Sequence, residues 1–291
     1  MRPHQWLKDL QSTRGMRLLL GIMAIGAALS LNGCSEASAP ETRLGETALA
    51  HAEALIAAHP QREAGVHSEA VAQWIAQQLG EGATLQRFTT PHGTMVNVVK
   101  AHPKPVAILA SHFDTKVGIP GFVGANDGAS TTGLLLAIAQ ETDWPVTLLF
   151  LDGEECRKTY TAKDGLHGSW YYAKTMDATD RVPVIVLDML GDKDFNPGLA
   201  ANGSPALNRV IRRAAKRAGV SLTDAGEIVD DHLPFVIEGW QAADLIDFDY
   251  GPDNLLWHTA ADTMDQLSAE SLAKSATIVR EVIKSLKKEQ E

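Results

Sequence analysis

Residues 146–155, VTLLFLDGEE, restrict the fold more than any other stretch of the chain. A continuous run of Val, Leu and Phe this short is a strand buried on both faces, which belongs in a parallel sheet covered by helices. The run ends in three acids within four residues, Asp152, Glu154 and Glu155. Carboxylates crowd like this where a cation or a shared proton offsets their repulsion. The end of this strand is therefore read as the edge of a metal site, since a solvated turn accounts for one or two acids rather than three.

The same pattern recurs along the chain. An apolar run at 106–110 delivers Ser111-His112-Phe113-Asp114, another at 182–187 ends in Asp188, and a third at 242–248 is followed by the loop Trp257-His258-Thr259. Helical periodicity separates these strands: two helices across 46–79, the second with Val66, Ala70, Val71, Trp74, Ile75 and Leu79 on its core side; an apolar stretch at 133–139; a short helix at 170–174; a basic amphipathic helix at 208–218, read as a solvated face; and a last helix at 269–287. A hairpin at 84–89 and 95–100 turns through Pro91-His92-Gly93, with His92 expected in solvent. Asp127, in Ala125-Asn126-Asp127-Gly128, precedes the helix at 133–139, where a carboxylate is favoured by unpaired backbone N–H groups. Strands alternating with helices predict a three-layer α/β/α domain around a mostly parallel central sheet.

The N-terminus follows another logic. Met16-Arg17 introduces a short apolar run ending Leu31-Asn32-Gly33-Cys34, so 1–33 reads as a signal peptide, with Met16 as an alternative start. The ending resembles a bacterial lipobox, which implies lipid attachment at Cys34 in the cell envelope, a tether over 34–45 and a catalytic domain over 46–291. Beyond residue 33 the chain carries 22 Lys and Arg against 35 Asp and Glu, and that acidic balance argues against a nucleic-acid partner. Cys156 is then left without a partner cysteine, so the domain depends on its core; beside acids that favour oxygen and nitrogen coordination, it is expected to be a small buried neighbour.

In open α/β sheets, ligands bind in the crevice at the carboxyl ends of the strands. His112, Asp114, Glu154, Glu155, Asp188 and His258 follow four separate strands and are thus expected to converge. Imidazole and carboxylate donors are the natural set for zinc, which in a catalytic site keeps one position open.

From about residue 59 to 286 the sequence resembles the zinc-dependent aminopeptidases of metallopeptidase family 28 and their relatives, the glutaminyl cyclases. SHFDTK, GANDGAS, FLDGEE, DGLHGS, VLDMLG, DDHLPF and WHT occur in that order. The resemblance implies a zinc held by Asp127, Glu155 and His258, with a second zinc in aminopeptidases on His112 and Asp188, bridged by Asp127. It makes Glu154 the general acid/base and Asp114 the residue that orients His112. Two activities are implied. A cyclase closes an N-terminal Gln into pyroglutamate around one zinc, with release of ammonia. An aminopeptidase uses two zinc ions to hydrolyse the first peptide bond. Trp257 matches the cyclases' tryptophan over the substrate, Tyr160 falls where animal cyclases carry a pocket tryptophan, and Asp230 matches an acid that with Asp188 forms a carboxylate network with Glu154. Trp257 and Asp230 favour the cyclase, while His112 and Asn126-Asp127 are equally at home in a two-zinc aminopeptidase. The implied partners are N-terminal residues of peptides or proteins.

Overall fold

A computed structural model of the chain describes residues 40–290, apart from 142, 143, 162, 163, 178 and 180. The N-terminal apolar run, Met16 and Cys34 lie outside the described residues. In chain order the helices are α1 (Pro40–Ala58), α2 (Ser68–Leu79), α3 (Thr131–Ile138), α4 (His167–Thr175), α5 (Pro205–Arg217), α6 (His232–Ile237) and α7 (Ala269–Gln290). The strands are β1 (Ala83–Thr90), β2 (Gly93–Lys100), β3 (Ala107–His112), β4 (Val146–Leu151), β5 (Val184–Asp188), β6 (Gly198–Leu199), β7 (Thr223–Asp224) and β8 (Ala242–Ile246).

The strands form one sheet of order β1-β2-β4-β3-β5-β8-β6-β7. Its centre, β4-β3-β5-β8, is parallel, whereas the β1-β2-β4 edge and the β6-β8 pairing are antiparallel. Alternate side chains of the central strands serve two cores. Leu109, Leu148, Phe150, Ile185 and Leu187 pack beneath α1, α3, α5 and α7, while Ile108, Ala110, Leu149, Leu151 and Val186 pack with Tyr172 of α4 and Phe235 of α6. Burial on both faces is why these runs are apolar without alternation. β3 lies between β4 and β5, so the crossovers leave it to opposite sides and a crevice opens at its carboxyl end. His112 closes that strand.

Three expectations are corrected. The first helix begins at Pro40, inside the stretch read as a tether, because Leu44 is buried and Glu41 pairs with Arg280 of α7 at 2.9 Å. Val66 is 62% exposed and lies outside α2, which begins at Ser68. His92 is half-buried rather than solvated, 3.8 Å from Asp164 and against the His167 ring. Among the described residues no helix is long and apolar enough to cross a membrane.

Candidate metal centre and active-site pocket

The crevice gathers the side chains that the strand ends deliver. His112 is the last residue of β3 and Asp188 the last of β5; Glu154 and Glu155 follow β4, Asp127 sits in the wide turn Ala125–Ser130 before α3, and His258 lies in the loop after β8. Asp127, Glu154, Glu155, Tyr160, Asp188 and Asp230 line one pocket together with Trp257 and His258. His112 lies behind Asp127 and Asp188.

Two groups of donors are close enough to hold a cation: Asp127, Glu155 and His258, and His112, Asp127 and Asp188. His258 Nε2 is 2.9 Å from Glu155 Oε1 and 3.2 Å from Asp127 Oδ2; His112 Nε2 is 3.2 Å from both Asp127 Oδ1 and Asp188 Oδ1. Donors placed tetrahedrally about 2.0–2.2 Å from one ion are about 3.3 Å apart. Asp127 turns one oxygen toward each histidine. His258 Nε2 is within hydrogen-bond distance of Glu155 Oε1 as well, and one nitrogen cannot satisfy two carboxylates, so Asp127 Oδ2 is left buried without a hydrogen bond. The cluster favours positive charge there: although burial opposes it, Asp127 and Glu155 push the His258 imidazolium up to about 9. These residues fit a metal ion with nitrogen and oxygen ligands.

Glu154 is 6% exposed and accepts a 2.9 Å hydrogen bond from the Tyr160 hydroxyl at Oε1. Burial pushes its carboxyl well above the ordinary value, reinforced by the adjacent charge of Glu155 and by Asp230 and Asp231. Asp188 and Asp230 are raised too, first by burial; for Asp230 the next cause is the charge of Asp188. Asp230 accepts the Asp231 backbone N–H, and after burial its charge is the next cause that raises Asp244, a fully buried acid of β8 whose oxygens have no hydrogen-bond partner among the described residues. The carboxylate network around Asp230 thus extends away from Glu154 into Asp231 and Asp244.

The supporting contacts explain how this geometry is held. Asp114 accepts the backbone N–H groups of Glu154 and Glu155, each at 3.1 Å, and lies 3.6 Å from His112 Nδ1. One buried carboxylate therefore holds both acids of the β4 turn and faces a histidine. Asp262 does the same for Asp127, accepting the N–H groups of Asn126 at 2.7 Å and Asp127 at 3.2 Å, and it is held in turn by the Tyr250 hydroxyl at 2.6 Å. The backbone is left-handed at His258, with φ 54°, and at Met189 after Asp188, with φ 53°. Such strain costs about 1–3 kcal/mol per non-glycine residue and persists where surrounding contacts over-determine it. Trp257 stacks on the His258 ring at 4.0 Å and Phe248 abuts Trp257 edge-on at 4.9 Å. Lys116 Nζ reaches Glu155 Oε2 at 3.1 Å and the Cys156 carbonyl at 2.6 Å; Cys156 itself is buried and belongs to neither donor group.

Asp152, the third acid of the opening stretch, points away from the donor groups and accepts the Val96 N–H at 2.8 Å. Burial, with the charge of Asp114 behind it, pushes this carboxyl up to about 8. The folded state therefore keeps a proton that the unfolded chain releases above its ordinary carboxylate value. Fold stability consequently falls as pH rises from about 4 to about 8, and the penalty is complete above 8. Asp152→Asn removes this dependence. Its melting temperature is expected to exceed the wild type's at pH 8 and to converge with it near pH 4, as thermal unfolding at both values would show; equal melting temperatures at pH 8 would mean that the carboxyl is ionised in the fold.

Every site residue expected from the sequence lies in the pocket or directly behind it. Sequence reasoning did not reach the Tyr160–Glu154 hydrogen bond, the supporting role of Asp262, or the joining of Asp231 and Asp244 to Asp230. The Asp244 signal was present as a lone acid inside the apolar run of β8, where an unpaired charge is not expected.

The model for the family described as "Peptidase family M28" matches residues 94–283. A glutaminyl-peptide cyclotransferase-like protein of Mus musculus is 33% identical in an alignment of length 195 that covers 53% of this chain and 50% of that protein. The chain thus spans about half the length of this curated relative. The crystal structure of an Acidobacteriales bacterium glutaminyl cyclase superposes with a TM-score of 0.78 at 32% identity, covering 84% of this chain and 95% of that one. A Bacteroides thetaiotaomicron structure described as a leucine aminopeptidase precursor superposes with a TM-score of 0.69 at 24% identity over 82% of this chain and 96% of that one, a likeness of fold alone.

Proposed function

The chain belongs to peptidase family M28, and from that premise we propose that it is a zinc-dependent glutaminyl-peptide cyclotransferase, converting an N-terminal glutamine to pyroglutamate with release of ammonia. The observation that carries the reading is a pocket of about 250 Å³, sized for one residue, in which a buried high-pKa Glu154 stands beside a three-donor metal group walled by Trp257.

Asp127, Glu155 and His258 would hold the zinc. When bound it supplies Lewis-acid polarisation of a carbonyl oxygen. Glu154 takes a proton from the substrate's α-amino group as the amine nitrogen bonds to the side-chain amide carbon. It then returns the proton to the departing nitrogen, which leaves as ammonia when the former amide C–N bond breaks. A carboxyl raised by burial suits both transfers, because proton affinity near the working pH lets one group act as base and then as acid. The Tyr160 hydroxyl fixes Oε1 at 2.9 Å, and Trp257 offers a flat wall beside His258. Nucleophile and electrophile belong to one residue, so orienting that residue supplies much of the rate. Asp188 and Asp230 act through the electrostatics of Glu154.

A second reading is a two-zinc aminopeptidase, favoured by the completeness of the second donor group, His112, Asp127 and Asp188. The deciding experiment is incubation of the purified protein with a Gln-initiated peptide. Ammonia without free glutamine, at one zinc per chain, supports the cyclase; free glutamine, at two zinc ions per chain, establishes the aminopeptidase instead. We place the chain in the bacterial cell envelope, exported and lipid-anchored through Cys34, on the strength of Leu31-Asn32-Gly33-Cys34 at the end of its N-terminal apolar run. Fractionation of a Cys34→Ser chain tests this: the substituted protein should move from membranes to the soluble fraction, and unchanged membrane association would refute the anchor.

A further inference from the structure

Six acids line the pocket, and no Lys or Arg does. Five of them are buried, namely Asp127, Glu154, Glu155, Asp188 and Asp230, and each is taken up by the donor groups, by Tyr160 or by a neighbouring carboxyl. Glu227, the sixth, is exposed on the rim and has no hydrogen-bond or ion-pair partner among the described residues. Beside it the rim is apolar: Val229 is 49% exposed, Phe248 is 36% exposed, and Phe248 leans edge-on against Trp257.

The pocket accommodates one residue, so the next residue of a bound peptide must cross this rim. A side chain that suits it has a long apolar stem, to lie along Val229 and the aromatic pair, and a cationic tip to reach a free carboxylate. Lysine and arginine have that shape. An acidic side chain at the rim would instead face the free carboxylate of Glu227, with no Lys or Arg on the lining to receive it. We infer that Glu227 sets the preference for the residue after the N-terminal glutamine, favouring Lys or Arg and disfavouring Asp or Glu. The inference rests on the proposed cyclase reading and names the class of peptide that the enzyme takes.

The test measures ammonia release from Gln-Arg, Gln-norleucine and Gln-Glu peptides, capped at the C-terminus to remove that charge. For the wild type, kcat/KM is expected to be about fivefold higher for Gln-Arg than for Gln-norleucine, and lowest for Gln-Glu. Because the contact is remote from the reacting atoms, the difference should lie in KM, with kcat shared. In Glu227→Gln the advantage of Gln-Arg over Gln-norleucine should disappear while turnover of the norleucine peptide is retained, and Glu227→Lys should place Gln-Glu above Gln-Arg. Ratios that are flat in the wild type, or unchanged in both variants, overturn the assignment while leaving the cyclase reading intact. Absence of ammonia from all three peptides overturns both.

Discussion

Glu154→Gln is expected to lower kcat by about 10³-fold, within the 10²–10⁴-fold range of positioned acid/base groups, equivalent to about 4 kcal/mol of barrier. The substitution keeps the shape of the side chain and an oxygen for the Tyr160 hydroxyl, and it removes one ionisable group from a crowd of acids. Fold and metal content should therefore survive: zinc per chain and melting temperature are the controls, and ammonia release is the readout. Activity within tenfold of the wild type would mean that the proton travels through another carboxyl, with Asp230 and Asp188 the neighbours to test.

The second large effect is on stability, at a residue without catalytic chemistry. Arg62 is fully buried, and its guanidinium donates to the carbonyls of Phe113 at 2.7 Å, Val123 and Gly124 at 2.9 Å and His59 at 3.3 Å. It staples the segment after α1 to the turn after β3 and to the loop that leads into Asp127. Arg62→Met fills part of the volume and supplies none of these donors, leaving buried carbonyls unsatisfied. The expected loss is about 3–5 kcal/mol, or a fall in melting temperature of about 10 °C. Thermal or urea unfolding checks it. A loss under 1 kcal/mol would show that the loop is held by its other contacts. Metal affinity should fall with stability, because Gly124 precedes the turn that carries Asp127.

Much of this site was legible in the chain because its chemistry is carried by strand ends. A buried strand is recognisable from a few consecutive apolar residues, and polar residues that close it or follow it within a turn are candidates for the crevice; His112 and Asp188 close their strands, and Glu154 and Glu155 follow β4. Asp127 and His258 do not end strands: one was read from a helix start and the other from the loop beyond a strand, and motif resemblance supplied their roles as ligands. Asp230 was located by motif resemblance, but the buried acid that it influences was not, since Asp244 belongs to a different element fourteen residues on. The β1-β2 hairpin was legible from its turn, whereas the antiparallel pairings of β2 with β4 and of β6 with β8, and the short strands β6 and β7, went unread for a related reason. Two-residue strands carry no periodicity, and their pairing is set by neighbours.

Sequence by itself determined the layered α/β architecture, the strand-end acids and the donor types for a metal, because these follow from local patterns of polarity and from the side chains' own chemistry. Tertiary structure alone decided that Asp127 offers one oxygen to each histidine, that Tyr160 grips Glu154, and that Arg62 and Asp262 hold the turn bearing Asp127. Those contacts join residues up to 136 positions apart. Their hydrogen-bond geometry, and the burial that shifts proton affinities, exist only after the elements have packed.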